Sequence, residues 1–415
     1  MAEFAPPAVL DESGAAARRR VVSLLTAFVF AGTFASVVWH YVNAEYWLKG
    51  YPWNTFLFRP VHRFSDFFTV YRTARHFGAA GQEDLVYSPV FHLFAKVMRV
   101  FPDKLALGLV VAVFLATVAA LVWHWMTPDL GAPLARLPHA LVLTLFAYPV
   151  LWVVDRGNLE MVVFVLLAAF FYLYYAVHSR WAWLPLALAI AAKYYWATLL
   201  VLPLCDKHYR QLVYSVAGAI ASTLLSVLAI AWSSGVGIGT VLSIWGGTLR
   251  GHLDMSNSLY TVHHGHSLWG VVCVIDRWTD GALQMWLSGR SNILRLYVVA
   301  CALAFLWICG RLLTHEHADW QRATVLVVCA LLLPMENHDY TLIHLFLPLA
   351  LFVLAAGRVR RWWLVTLLFA LPLVPLDYVY FSFPYFPDSD VGMTVLVYPA
   401  VLLALLVVAL RGEHA

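Results

Sequence analysis

The sequence predicts an all-α polytopic membrane protein, and three observations carry that prediction. Of its 415 residues 62% are hydrophobic and 12% charged, against roughly 25% charged in soluble globular proteins; the mean hydropathy is +0.76. The apolar residues come in repeated runs, most of them near the roughly 20 residues with which a helix crosses a bilayer. None of these runs alternates strictly over ten-residue stretches, so the backbone satisfies its hydrogen bonds within helices rather than around a barrel.

Runs of spanning character lie at about 21–40, 105–126, 138–154, 158–177, 211–233, 293–312, 322–335, 340–357, 362–377 and 392–410. With one ambiguous segment they give about 10–12 transmembrane helices. The expected organisation is a disordered cytoplasmic tail at 1–20, a single transmembrane domain at 21–411 and a short cytoplasmic tail at 412–415. The first run follows Arg18, Arg19 and Arg20 and is too long for a signal-peptide core, so it reads as a retained anchor.

The ambiguous segment is WLPLALAIAAKYYWATLLVLPL at 183–204, with Lys193 in its middle, where a charge is costly and by default functional. It reads either as one span or as two short halves, 183–192 and 194–204, dipping from one side with Lys193 at the turn. Charge parity favours the second. Arg18 to Arg20, Arg136, Arg180, Lys207, Arg210, Arg311, Arg322, Arg358, Arg360, Arg361 and Arg411 then share the cytoplasmic face.

In that orientation the outer side receives residues 41–104, the VDRGN turn at 154–158, Lys193, the loop 234–292, PMENHDY at 334–340, and 378–391. Within the first outer loop SDFFTVYRTARHF and VFHLFAKVMRVF read as interfacial amphipathic helices. Gly78, Gly81 and Pro89 mark turns between them, and Gln82, Glu83 and Asp84 read as solvated. The net charge of +4 is spread out, with no basic block longer than the arginine triplet, which excludes nucleic acid as a partner. Cys205, Cys273, Cys301, Cys309 and Cys329 show no paired spacing and read as small core residues.

The chemically useful residues crowd the outer face. Asp66, between Ser65 and Phe67-Phe68, fits a general base for a hydroxyl in a partly desolvated cleft; it equally fits a helix cap or a partner for Arg63 or Arg72. Asp155, Arg156 and Asn158 stand at a tight turn, where the first two also suit capping and anchoring. Lys193 suits a phosphate partner or a snorkelling cation. His263, His264 and His266 in TVHHGHSLWG, with Glu336, Asn337, His338, Asp339 and Tyr340 in MENHDYTLIH, suit hydrogen bonding to hydroxyls or phosphate. A metal would need three or four of them to converge, and hydrogen bonding is the favoured reading. HEHAD at 315–319 falls on the cytoplasmic face as a solvated loop.

The order of SDFFTVY, YSPVF, RGNLEMVVFVLLAAF, ALAIAAKYYWATLLVLPL, HSLWGVV and ENHDYTLIHLFLPLALF resembles glycosyltransferase family 87, polyprenyl-phosphate-mannose-dependent transferases of the GT-C fold. His266 stands where the family's Gln-Ser-Leu-x-Gly has Gln, Gly157-Asn158 stands for Gly-Gln-x-Asn, and Trp196 stands where Lys-x-x-Pro has Pro. The resemblance implies an inverting transfer with Asp66 as general base. It implies a donor phosphate held by Lys193, His338 and an arginine of the first outer loop, Arg63 or Arg72. Sugar and acceptor contacts would come from Tyr71, Tyr87, Asn158, His264, His266, Asn337 and Tyr340. The implied partners are a polyprenyl-phosphate-linked sugar donor, a lipid or glycan acceptor and membrane lipids, with no metal or other cofactor. The implied location is the plasma membrane, with the N-terminus cytoplasmic and the site extracytoplasmic. A lipid-substrate flippase, marked by paired halves and midplane charge, and an envelope polymer ligase, marked by more arginines near the phosphate, are the competing readings.

Overall fold

The structure is a computed structural model that describes residues 12–48, 63–74, 87–255, 265–279, 281–286, 290–335, 337–376, 380–383 and 386–411. In chain order the helices are α1 Glu12–Glu45, α2 Ser65–Thr73, α3 Pro89–Met98, α4 Asp103–Leu121, α5 Pro133–Leu145, α6 Tyr148–Arg156, α7 Glu160–Phe171, α8 Trp183–Ala192 and α9 Val201–Cys205. They continue with α10 Tyr209–Ser234, α11 Ile238–Met255, α12 Leu268–Trp278, α13 Ala282–Trp286, α14 Arg290–Thr314, α15 Asp319–Leu332, α16 Phe346–Ala355, α17 Trp362–Ala370 and α18 Thr394–Arg411. A short antiparallel hairpin, β1 Tyr380–Phe383 with β2 Phe386–Gly392, is the one departure from an all-helical chain among the described residues.

Among the described residues six helical segments are long and apolar enough to cross a membrane, and the pair α5 and α6, bent by 49°, makes a seventh. The chain is therefore an all-α polytopic membrane protein. Of the other expected spans, 158–177 and 362–377 appear as the shorter apolar helical segments Glu160–Ala176 and Trp362–Leu373. The bend falls at Phe146-Ala147, just before Pro149, whose missing N–H costs nothing in a first helical turn and would break a continuous helix.

One boundary differs from the sequence expectation. The first helix begins at Glu12, so residues 12–20 are helical rather than a tail. Ala15 to Ala17 are the strongest helix formers, and Arg18, buried, is held by both carboxylate oxygens of Asp129. The segment after α1 carries α2 and α3 where its two amphipathic stretches stand.

The Lys193 segment is broken as the parity argument requires. The helix α8 ends at Ala192, Lys193 is extended (φ −142°, ψ 107°), and a 3-10 turn at Tyr194–Leu200 leads into α9. Lys193 meets Glu160 at the start of α7, whereas Asp206, just past α9, accepts the hydroxyl of Tyr174 near the other end of the α7 rod. Gln211 donates to the Ser179 carbonyl at that same end. The segment therefore goes out along α7 and returns, a hairpin with Lys193 at its tip.

The polar groups thus sort to two ends. One end holds Arg18 with Asp129, Arg136 on the carbonyls of Pro128 and Gly131, and Arg322 with Asp206 and Asp319. Gly14 packs there against Gly357, beside Arg358. The other end holds Asp66, Arg156, Lys193, His266 and Asp339.

Candidate active site

The site is organised by the turn between α6 and α7. Gly157 takes the left-handed conformation (φ 61°, ψ 32°) that ends α6, and the Asn158 N–H reaches back to the Val153 carbonyl. Asn158, fully buried, then accepts the Glu160 backbone N–H on Oδ1 at 2.9 Å. Only the amide oxygen can accept that bond, so Nδ2 must point the other way. It donates to Asp66 Oδ2 at 2.6 Å and lies 3.2 Å from the Tyr87 hydroxyl.

Asp66 stands in the first turn of α2, whose buried face is Phe67 and Val70. That helix docks on the α6 end through a backbone bond from Phe64 N–H to the Asp155 carbonyl at 2.7 Å. The Asp66 carboxylate, 18% exposed, faces Arg156 Nη2 at 3.7 Å. Burial first, and the neighbouring Asp66 carboxylate next, raise the Tyr87 phenol well above its ordinary value, so Tyr87 acts as a neutral hydroxyl. The face of the same ring lies 5.3 Å under the Lys193 ammonium.

Beneath Lys193 is a group that the sequence reading did not single out. Glu160, wholly buried, lies 3.5 Å from Lys193 Nζ, accepts the Tyr195 hydroxyl at 2.5 Å and pairs with His344 Nε2 at 2.9 Å. Its signal was present in the sequence: a carboxylate two residues after the capping Asn158, at the head of the apolar run MVVFVLLAAF, is an intramembrane charge in need of partners. Nothing in the sequence names Tyr195 and His344 as those partners.

The segment that opens the penultimate long span supplies the rest. Asn337 donates to the carbonyls of Ala330 and Leu331 and accepts the Thr341 hydroxyl at 2.8 Å, so it ties the end of α15 to the next turn. His266 is clamped between Asp339 Oδ1 (3.3 Å) and Thr341 Oγ1 (3.2 Å), and Gly265 bridges to His338. Burial holds the His266 imidazole neutral, its pKa pushed down to about 3. His338 and Tyr340 are half-buried with rings 5.4 Å apart, and Tyr340 is close enough to Tyr87 to act on its titration.

The structure thus joins Asp66, Tyr87, Arg156, Asn158, Glu160 and Lys193, with Tyr340 at the edge. It gives Tyr71 and Arg72 contacts elsewhere: the Tyr71 hydroxyl donates to the Phe101 carbonyl at 2.7 Å, and exposed Arg72 lies over the Phe68 ring. Arg63 is exposed just ahead of α2. Asn337 and His266 make their contacts within the fold, and His263, His264, Gln82, Glu83, Asp84 and Glu336 lie outside the described residues. Among the described residues no three His, Cys, Asp or Glu side chains gather as a metal would require. A groove of about 500 Å³ lies between α4 and α5, lined by Leu115, Trp123 and Leu145; it is apolar and runs toward the opposite end from Asp66.

A multi-pass helical membrane protein with a carboxylate, two cations and aromatic hydroxyls gathered at one end of its spans has the equipment of a transferase acting on membrane-borne substrates. The family model for glycosyltransferase family 87 matches residues 85–333, more than half of the chain, and the chain belongs to that family. It is a membrane glycosyltransferase. Neither the curated proteins nor the solved structures yield a match.

Proposed function

We propose that the chain transfers a sugar, mannose, from a polyprenyl-phosphate donor to a hydroxyl of a lipid or glycan acceptor, with inversion, on the outer face of the plasma membrane. The observation that carries this reading is the pairing of Asp66 and Lys193 on one tyrosine: Asn158 links Asp66 to the Tyr87 hydroxyl, and Lys193 lies over the Tyr87 ring. A base and a cation fixed that close serve the two ends of one displacement.

In the proposed step the acceptor oxygen attacks the anomeric carbon while Asp66 takes its proton. The bond from that carbon to the phosphate oxygen breaks, and its electron pair leaves with the polyprenyl phosphate. Lys193 and His338 oppose the charge that develops there, in a cleft where fixed cations act more strongly than in water. The reading assigns no metal to the reaction. Basic residues gathered at the opposite end of the helices support a cytoplasmic N-terminus, and a lipid-borne donor suits an outer face where nucleotide sugars are not supplied.

The test is transfer of labelled mannose from polyprenyl-phosphate-mannose to extracted host lipids and glycans by the purified full chain, with EDTA present. Asp66→Asn keeps the shape and should lower the rate by about 10²–10⁴-fold. Equal rates for wild type and variant would remove Asp66 from the role, and dependence on added metal would overturn the metal-free reading.

A further inference from the structure

Glu160 cannot touch a substrate, because none of its side chain is exposed. It is nevertheless where the site's contacts meet. Its Oε1 takes the Tyr195 hydroxyl at 2.5 Å and the Lys193 ammonium at 3.5 Å, its Oε2 takes His344 Nε2 at 2.9 Å, and its backbone N–H is bound by Asn158. His344 Nδ1 makes no hydrogen bond among the described residues, so the Glu160 contact and the Trp196 ring at 4.3 Å orient that imidazole. Lys193, in contrast, is a quarter exposed and lies over the Tyr87 ring.

We infer that Glu160 is a positioning residue for the donor phosphate: it tethers the Lys193 ammonium from below, so that the cation offered to the cleft is fixed before a phosphate arrives. This rests on the reading of Lys193 as the phosphate partner. A lysine stem has four rotatable carbons and loses rotamer freedom when it is immobilised on a ligand. A tether that has already restricted it leaves less to lose on binding. Glu160 also sits at the positive end of the α7 dipole, which favours a carboxylate there.

The probe is polyprenyl monophosphate, titrated against the full chain in nanodiscs, with uncharged polyprenol as reference. Glu160→Gln keeps the shape and can still bond Tyr195 and His344 but loses the charge that holds Lys193. It should weaken monophosphate binding about fivefold to tenfold, Lys193→Met should weaken it by at least about tenfold, and polyprenol binding should not change. The double variant should bind no worse than Lys193→Met, because a tether with nothing to hold has no effect. Since Lys193→Met leaves Glu160 as an unpaired buried carboxylate, the double variant should also melt at a higher temperature than that single one.

Unchanged binding by Lys193→Met would overturn the phosphate reading and the tether with it. Weakened binding by Lys193→Met, with Glu160→Gln equal to wild type, tighter than wild type, or additive with Lys193→Met, would overturn the tether alone. Should Lys193→Met fail to fold, the neutral double variant carries the test. Binding by Glu160→Gln between that of wild type and the double variant supports the tether, and equality with wild type overturns it.

Discussion

Replacing Gly157 by alanine tests whether the α6–α7 turn sets the position of Asp66. Gly157 has φ +61°, and a Cβ built there meets the Phe64 Cα at 3.0 Å and the Phe64 and Phe67 Cβ atoms at 3.2 Å. Two costs follow. The left-handed backbone itself costs an alanine about 1 kcal/mol. The contact adds to it, because the neighbours are a backbone atom and Cβ atoms that cannot rotate away. To recover an ordinary carbon–carbon separation of about 3.5–4.0 Å, α2 must back off by roughly 0.5–1 Å. That displacement would stretch the 2.6 Å bond from Asn158 to Asp66 to the limit of hydrogen bonding or past it. A misplacement of about 1 Å in a reacting group is worth about 10²-fold in rate, so Gly157→Ala should lower kcat by about 10–100-fold. Gly235 supplies the control: it has φ +68°, nothing within 4 Å of its Cβ position, and a place at the end of α10. Gly235→Ala should incur the backbone cost alone and keep its activity. The assay is the labelled-sugar transfer with thermal melting of both variants in the same detergent. Equal melting temperatures and equal rates for the two variants would refute the idea that close approach at Gly157 positions the base.

Three further outcomes are expected. Burial pushes the His266 and His92 imidazoles down to about 3 and to about 4 from the ordinary 6.5; at these two sites the unfolded chain binds protons below pH 6.5 that the fold refuses, so each site by itself withdraws about 2 kcal/mol of stability by pH 5. His266→Gln should halve that loss in melting curves taken from pH 7 to pH 5, and an unchanged pH dependence would remove His266 as a source. Tyr71→Phe should leave the transfer rate within about twofold and cost about 1 kcal/mol of stability, because its hydroxyl is engaged by the Phe101 carbonyl; a large loss in rate would return Tyr71 to the substrate. Asp206→Asn should destabilise the chain by about 1–2 kcal/mol, since one amide oxygen replaces the two carboxylate oxygens that serve Arg322 and the Tyr174 hydroxyl while Arg322 keeps Asp319, yet donor KM should stay unchanged because these groups lie at the end away from Asp66.

Most of the architecture could be read from apolar run lengths, because a helix in lipid has to bury its own backbone and few side chains can interrupt it. The break at Lys193 was also readable, since the energetic cost of a mid-span charge and the parity of the basic loops point the same way. The pair Asp66 and Asn158 was named in the sequence, but the contact between them was not. It depends on the capping role of Asn158, which aims the amide, and on the docking of Phe64 against Asp155. Tyr71 and Arg72 could have been set apart from Asp66 by periodicity alone: at about 100° per residue they lie about 140° and 240° around the helix from it. Glu160, Tyr195 and His344 were harder to find. Each stands in an apolar stretch, and their meeting depends on the return of the Lys193 hairpin against α7 and on the segment 339–345, two contacts far apart in sequence.

The charges of the cluster connect the proposed base with the proposed tether. Asp66, Arg156, Glu160 and Lys193 carry two negative and two positive charges, so the cluster by itself is neutral and can be largely withdrawn from water. Under the proposed reaction a sugar phosphodiester adds one negative charge. As the glycosidic bond breaks, the leaving phosphate gains a second; at the same time Asp66 takes up the acceptor proton and loses its own. The total is unchanged, while the protein side of the cleft becomes positive as the phosphate needs it. Catalysis then requires the two carboxylates to differ: Asp66 is exposed enough for an acceptor proton to reach it, whereas Glu160 is out of reach of substrate and its charge is held, against the cost of burial, by Lys193, Tyr195 and His344. Asn158 stands between them, its amide N–H on Asp66 and its carbonyl oxygen on the Glu160 backbone. In the proposed reaction the Gly-Asn turn therefore keeps the proton acceptor and the tethering anion apart.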